Sequence, residues 1–237
     1  MIYGVTFIDG DVSRHTYKDF GLFQVGASHL SAPEVQKRYI QIPAMDGHID
    51  ATQSLDGFVH YNTRAFVGTF KCIAHRSEWK GIYSRLMNFL HGKKMRAIFD
   101  DEPNNYIEGR FEVGEPDFQK HYFTVPISGT VAPYRYLMFD SLGDWLFDPF
   151  SFSDGYAWDY KDIEIDGTTD VIVMASEMPV APQFTCSSAM TLVVDGVTYN
   201  LPSGVSVAPA LIIKDREYTF RFTGEGTVTI YFTGGSL

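Results

Sequence analysis

The chain reads mainly as short runs in which apolar and polar residues alternate, the period of a strand with one face buried. "YGVTFIDG" alternates and ends in a turn, "RYIQIPAM" follows a Pro-containing loop, and "TRAFVGTFKCIAH" is rich in the β-branched and aromatic residues that strands favour. The period then changes. In "SEWKGIYSRLMNFLHGKKM" the apolar residues Trp79, Ile82, Tyr83, Leu86, Phe89 and Leu90 fall at helical spacing. Ser77 is the expected N-cap, Glu78 suits the positive first turn, and Gly92 is a stop followed by Lys93 and Lys94 at the negative end. The stripe predicts a helix packed on a sheet.

Beyond the helix the strand period returns. "MRAIFD" and "YIEGRFEVG" read as strands joined by the turn "DEPNN", and "HYFTVPISGTVAPY" as a further strand in which Pro126 suggests an edge or bulge. "VAPYRY" is a candidate boundary, dividing the chain into residues 1–135 and 136–237. After it comes a turn-rich stretch crowded with aromatic residues, "LGDWLFDPFSFSDGYAWDY". Three hairpins are expected in the last part. "IEIDGTTDVIVMA" and "MTLVVDGVTYNLP" each place Asp-Gly between extended runs, and "EYTFRFTGEGTVTIYFTGG" puts Gly-Glu-Gly between two alternating ones. One apolar and one polar face per strand is the pattern of a β-sandwich. The predicted fold is mainly β, in two domains, the first with a helix packed on its sheet and the second a sandwich.

Composition narrows the functional classes. With 45% hydrophobic residues among 237, a substantial core can be buried, and 15% aromatic residues suit cross-strand packing. The formal charge of −10 argues against a surface that recognises nucleic acid through clustered Lys and Arg. Cys72 and Cys186 lie far apart and form no CxxC, so neither a zinc site nor a redox dithiol is expected, and two buried thiols point to a reducing cytoplasm during folding. The opening residues lack a basic segment followed by an apolar run, and no apolar stretch approaches the ~20 residues of a membrane span, so no membrane insertion is expected.

Candidate chemistry is sparse. There is no G-x-G-x-x-G, P-loop, H-E-x-x-H or G-x-S-x-G. In "IPAMDGHID", Asp46, His48 and Asp50 occupy alternate positions, which on one strand would set two carboxylates and an imidazole on one face. A metal site needs further convergent ligands, and the simpler reading is a polar turn around Gly47. Asp100, Asp101 and Glu102 form an acidic turn, but glycosidase chemistry needs two carboxylates at defined separation across a cleft. Trp145, Tyr156 and Trp158, within a run reaching Tyr160, could stack on sugar rings as a glycan platform or fill a core or interface. No catalytic residue, cofactor or metal is expected. A carbohydrate-binding β-sandwich module recognising host surface glycans remains the alternative.

The order of several phrases is more specific than any of them alone. "IPAMDGHID" (Ile42 to Asp50), "YNTR" (Tyr61 to Arg64), the helix end "LHG" (Leu90 to Gly92), "FDDEP" (Phe99 to Pro103) and "YIEGR" (Tyr106 to Arg110) together resemble the distal tail (Dit) proteins of siphophages. The match covers roughly residues 1 to 135, departs from the family's Gly-Arg at Ala44-Met45, and has an echo in the ending "GTVTIYFTGGSL". The resemblance implies a non-enzymatic virion protein at the distal end of the tail, made and assembled in the bacterial cytoplasm. It implies a homo-hexameric ring built by an N-terminal β-sandwich with a helix and a β-hairpin, with a galectin-like β-sandwich projecting outward. The implied partners are other copies of the chain, the tail-tube protein and the tail-associated tip protein, and in some phages receptor-binding proteins. Asp46, Gly47, His48 and Asp50 would then lie at a surface or a subunit contact.

Overall fold

The computed structural model describes residues 4–26, 29–142 and 159–237. The chain forms two compact units, Met1–Arg135 and Tyr136–Leu237. In the first, the strands are β1 (Val5–Asp9), β2 (Val12–His15), β3 (Leu22–Gln24), β4 (His29–Leu30), β5 (Tyr39–Ile40), β6 (Ile49–Asp50), β7 (Arg64–Cys72), β8 (Lys94–Phe99), β9 (Glu102–Val113), β10 (Asp117–Phe118) and β11 (Phe123–Val131). Two helices accompany them, α1 (Thr16–Phe20) and α2 (Trp79–Leu90). The order β2-β1-β8-β9-β11-β7-β3 forms one antiparallel sheet.

That sheet curls onto itself. Phe66 on β7 and Phe99 on β8 are three strand steps apart, about 14 Å across a flat sheet at ~4.8 Å per step. Their ring centroids lie 5.5 Å apart, and Phe111, on β9 between them, meets both Phe66 (5.9 Å) and Phe7 (5.0 Å). The alternation in "RAFVGTFKC" puts Arg64, Phe66, Phe70 and Cys72 on the buried face of β7. Aromatic rings thus bring the two flanks of one sheet together as the layers of a sandwich.

Helix α2 follows the expected stripe, burying Trp79, Ile82, Leu86 and Leu90 in the same core. Its start differs from the sequence reading. A 3-10 turn, Arg76–Glu78, precedes it, and the His75 imidazole caps that turn by accepting from the Ser77 N–H, while Glu78, the residue before α2, makes no side-chain cap bond. Ser77 sits inside that turn, where its hydroxyl meets His75 Nδ1 at 2.8 Å. Pro126 also lies elsewhere than expected, in the interior strand β11. It is tolerated because the partner on one side changes there, from β10 at Phe123–Thr124 to β9 from Ile127 onward.

The second unit contains β12 (Arg135–Asp140), which enters it, then β13 (Ile163–Met174), β14 (Gln183–Cys186), β15 (Met190–Val194), β16 (Val197–Leu201), β17 (Gly204–Val207), β18 (Glu217–Tyr231) and β19 (Thr233–Ser236). Asp195-Gly196 makes the expected hairpin between β15 and β16, with φ of 51° and 78°. The other two expected hairpins are absent. β13 continues unbroken through Asp166-Gly167, and β18 continues unbroken through Gly224-Glu225-Gly226. The two strands pair along their full length, with Gly167 opposite Gly224. The first half of β18 pairs with β15 and the second half with β14, so β13 and β18 bend together from one sheet of the sandwich into the other. Gly224 and Gly226 adopt φ of 154° and 125°, and a Cβ on Gly226 would collide with the Ser187 hydroxyl. Phe184 on β14 meets both Phe220 and Phe222 of β18, at 6.1 and 6.3 Å, across the resulting core.

Candidate assembly surface

Between β4 and β7 the chain leaves the first unit's core. Residues 31–40 and 49–65 run antiparallel as two legs, tied by Ser31 N–H to Ala65 O (2.9 Å), Asn62 N–H to Glu34 O (2.8 Å), Gln36 N–H to His60 O (2.8 Å) and Ala51 N–H to Arg38 O (2.8 Å). Near the tip β5 pairs with β6, Tyr39 opposite Asp50 and Ile40 opposite Ile49. Ala51 is the only residue from 31 to 63 in the buried class. The arm nevertheless carries Tyr39, Ile40, Ile42, Met45, Ile49 and Leu55 on its surface, with Leu55 82% exposed. A two-stranded hairpin is marginal in water on its own, and these exposed apolar groups make the arm a candidate contact surface.

The arrangement of Asp46, Gly47, His48 and Asp50 follows from this. β6 holds only Ile49 and Asp50, so the alternate spacing of the three polar residues does not fall on one strand. Asp46 and Gly47 belong to the loop that reverses the chain, where Ala44 and Gly47 take φ of 64° and 82°. His48 folds back on Tyr39, the ring centroids 4.0 Å apart. Asp50 accepts from the Thr52 N–H at 2.9 Å, and Thr52 Oγ1 in turn accepts from the Arg38 N–H at 3.1 Å. The Thr52 hydroxyl first, and then its N–H, hold the Asp50 carboxyl below the usual carboxylate range. Three of these groups therefore shape the hairpin end. Among the described residues, no group of three or more His, Cys, Asp or Glu side chains is placed to hold a metal ion.

The acidic turn is also built into the fold. Asp100 accepts from the Gly4 N–H at 2.7 Å and from His15 Nε2 at 3.1 Å. His15 Nδ1 caps α1 by accepting from the Tyr17 and Lys18 N–H groups, so the proton sits on Nε2 and is donated to Asp100. Glu102 pairs with Arg135. Of the aromatic run, Trp145, Tyr156 and Trp158 lie outside the described residues. Tyr160 is buried, stacks on Phe232 at 6.0 Å, and its hydroxyl accepts from the Met174 N–H. The apolar residues of the arm were missed by sequence reasoning because "RYIQIPAM" carries the same alternation as a strand laid on a core. The one available signal was the paired turn residues on either side of so short a strand.

No protein-family model matches the sequence, and no curated protein is similar to it. Solved structures do match. The chain is similar in fold to the crystal structure of the phage SPP1 Dit protein, described as a paradigm of the hub adsorption apparatus in phages infecting Gram-positive bacteria. The superposition covers 100% of both chains with a TM-score of 0.61 at 12% sequence identity. The chain has a Dit-like, mainly β fold.

Proposed function

We propose that this chain is a structural protein of a phage tail tip, a baseplate hub in which six copies close into a ring joining the tail tube to the tip complex. The full-length correspondence with SPP1 Dit carries the reading. The ordered phrases from Ile42 to Arg110 support it independently, since the fold comparison at this identity shares little sequence.

The arm supplies the surface such a ring needs. In a cyclic assembly each subunit presents two different patches, and the donor patch of one meets the acceptor patch of the next. Tyr39, Ile40, Ile42, Met45, Ile49 and Leu55 form the donor in this reading, with Asp46, Gly47, His48 and Asp50 at the contact's polar margin. The unit 1–135 builds the ring, and the unit 136–237 faces outward, where it is available to receptor-binding proteins. The tail-tube protein and the tail-associated tip protein occupy the two faces of the ring. Charge is consistent with a channel for DNA. Six copies at −10 each carry about −60, which repels phosphates. The protein has no catalytic role in this scheme and is incorporated into virions assembled in the bacterial cytoplasm.

Labelling the protein and imaging intact virions by electron microscopy tests the proposal. Signal is expected at the distal end of the tail, at its junction with the tube. Signal confined to capsid or neck, or no incorporation into particles, would sink it.

A further inference from the structure

Arg64 opens β7 and follows the alternation of that strand, pointing to the buried side with Phe66 and Phe70. It is 6% exposed. Its Nε and Nη2 atoms are both shielded from solvent and neither has a hydrogen-bond partner. A buried cation normally has its donors satisfied, because an unmet N–H loses water and gains nothing in return. The nearby charges do not supply the acceptor. Glu102 is engaged by Arg135, whose Nη1 reaches its two carboxylate oxygens at 3.2 and 3.1 Å.

The identity of the two unmet atoms is informative. Nε–H and Nη2–H lie along one edge of the guanidinium plane and point in parallel, which is the geometry that grips a carboxylate through two bonds at once. The same protein uses this edge elsewhere. Arg221 Nε and Nη2 hold the two oxygens of Asp170 at 2.7 and 2.8 Å. Arg64 presents the same fork at the end of a core, and among the described residues no carboxylate fills it. Charge selects the class of ligand. The guanidinium is a cation, and a planar carboxylate meets its two parallel N–H groups with two oxygens. Burial lowers the Arg64 pKa, the positive Arg135 lowers it further and Glu102 opposes them.

We propose that the Nε/Nη2 edge of Arg64 is a binding site for a carboxylate supplied from outside the subunit. The carboxylate belongs either to a small organic acid in solution or to an acidic side chain of a second copy of the chain, and the second source rests on the ring reading above. Seating the anion closes a buried, unmet pair of donors, so binding tightens this end of the first unit.

The test uses the purified full chain. Sodium acetate is titrated against sodium chloride at matched ionic strength while the melting temperature is followed. Acetate is expected to raise it saturably, by a few degrees at concentrations well above the dissociation constant, and chloride is not. The Arg64 Nε–H resonance should shift with the same midpoint. Arg64→Lys keeps the charge but lacks the fork, and Arg64→Met lacks both. Each should lose the saturable response, and if either variant fails to fold, the wild-type titration and resonance decide alone. Sedimentation over a concentration series then separates the sources. Self-association that needs Arg64 and is competed by acetate assigns the ligand to a second copy, and saturation by acetate at unchanged mass assigns it to a free acid. Acetate indistinguishable from chloride, together with self-association indifferent to Arg64→Lys, overturns the site. So does an acetate response that survives in both variants. Neither result bears on whether the protein sits at the tail tip, which the imaging experiment decides separately.

Discussion

Replacing Leu86 by Ala probes the packing of α2 on the curled sheet. Leu86 is 1% exposed and belongs to the aromatic-rich core of the first unit. The substitution removes Cγ and both Cδ carbons. At about 0.8 kcal/mol per buried methylene this costs about 2.4 kcal/mol. A residual cavity of roughly 40 Å³ adds about 1 kcal/mol at ~24 cal/mol per Å³, since a close-packed core collapses only partly around a deletion. The expected loss is therefore about 3.4 kcal/mol. For a unit the size of Met1–Arg135, the unfolding entropy is about 0.3 kcal/mol/K, so the melting temperature should fall by about 11 °C. Differential scanning calorimetry of the full chain measures this directly. Lys80→Ala is the control, because Lys80 lies on the exposed face of the same helix and its truncation should change stability by no more than about 0.5 kcal/mol. If the two variants melt together, α2 is not packed as described and the account of the first core is wrong.

Three further outcomes are expected. Gly226→Ala should destabilise the second unit by about 2 kcal/mol or more, because a Cβ there meets the Ser187 hydroxyl at a φ of 125°, whereas Gly196→Asn in the β15–β16 turn should be tolerated; equal urea midpoints for the two would refute the shared bend. Asp170, held below the ordinary carboxylate range chiefly by its hydrogen bonds from Arg221, contributes stability that is present above its unfolded pKa and lost as pH falls through the lower folded value; carboxyl NMR should show that value rising toward 3.8 in Arg221→Ala, and no change would show the pair to be unformed in solution. Ile49→Asp should leave the melting temperature of dilute protein nearly unchanged, since the side chain is already exposed, while abolishing incorporation into tails; normal incorporation would remove the arm from the ring contact.

The sequence by itself determined those features that local spacing settles. The stripe Trp79-Ile82-Leu86-Leu90 specified α2 because residues three and four apart share a face whatever surrounds the helix. Asp195-Gly196 specified its hairpin because two consecutive residues with positive φ match the twist of the flanking strands. Tertiary structure decided the rest. Asp166-Gly167 and Gly224-Glu225-Gly226 carry the same turn chemistry, yet neither reverses the chain. A glycine only permits an unusual φ. Whether the strand then turns back or bends onward depends on its pairing partner, and here the two permissive sites face each other more than fifty residues apart, Gly167 against Gly224. The trio in "IPAMDGHID" was legible as polar and unreadable as a site, because a shared face requires a strand and β6 is two residues long. The apolar alternation of the arm and the charge of Arg64 were equally visible, but exposure and burial are properties of what packs alongside. A strand that meets no second layer keeps Ile40 and Ile49 in water, and one that begins inside a curled sheet takes an arginine out of it.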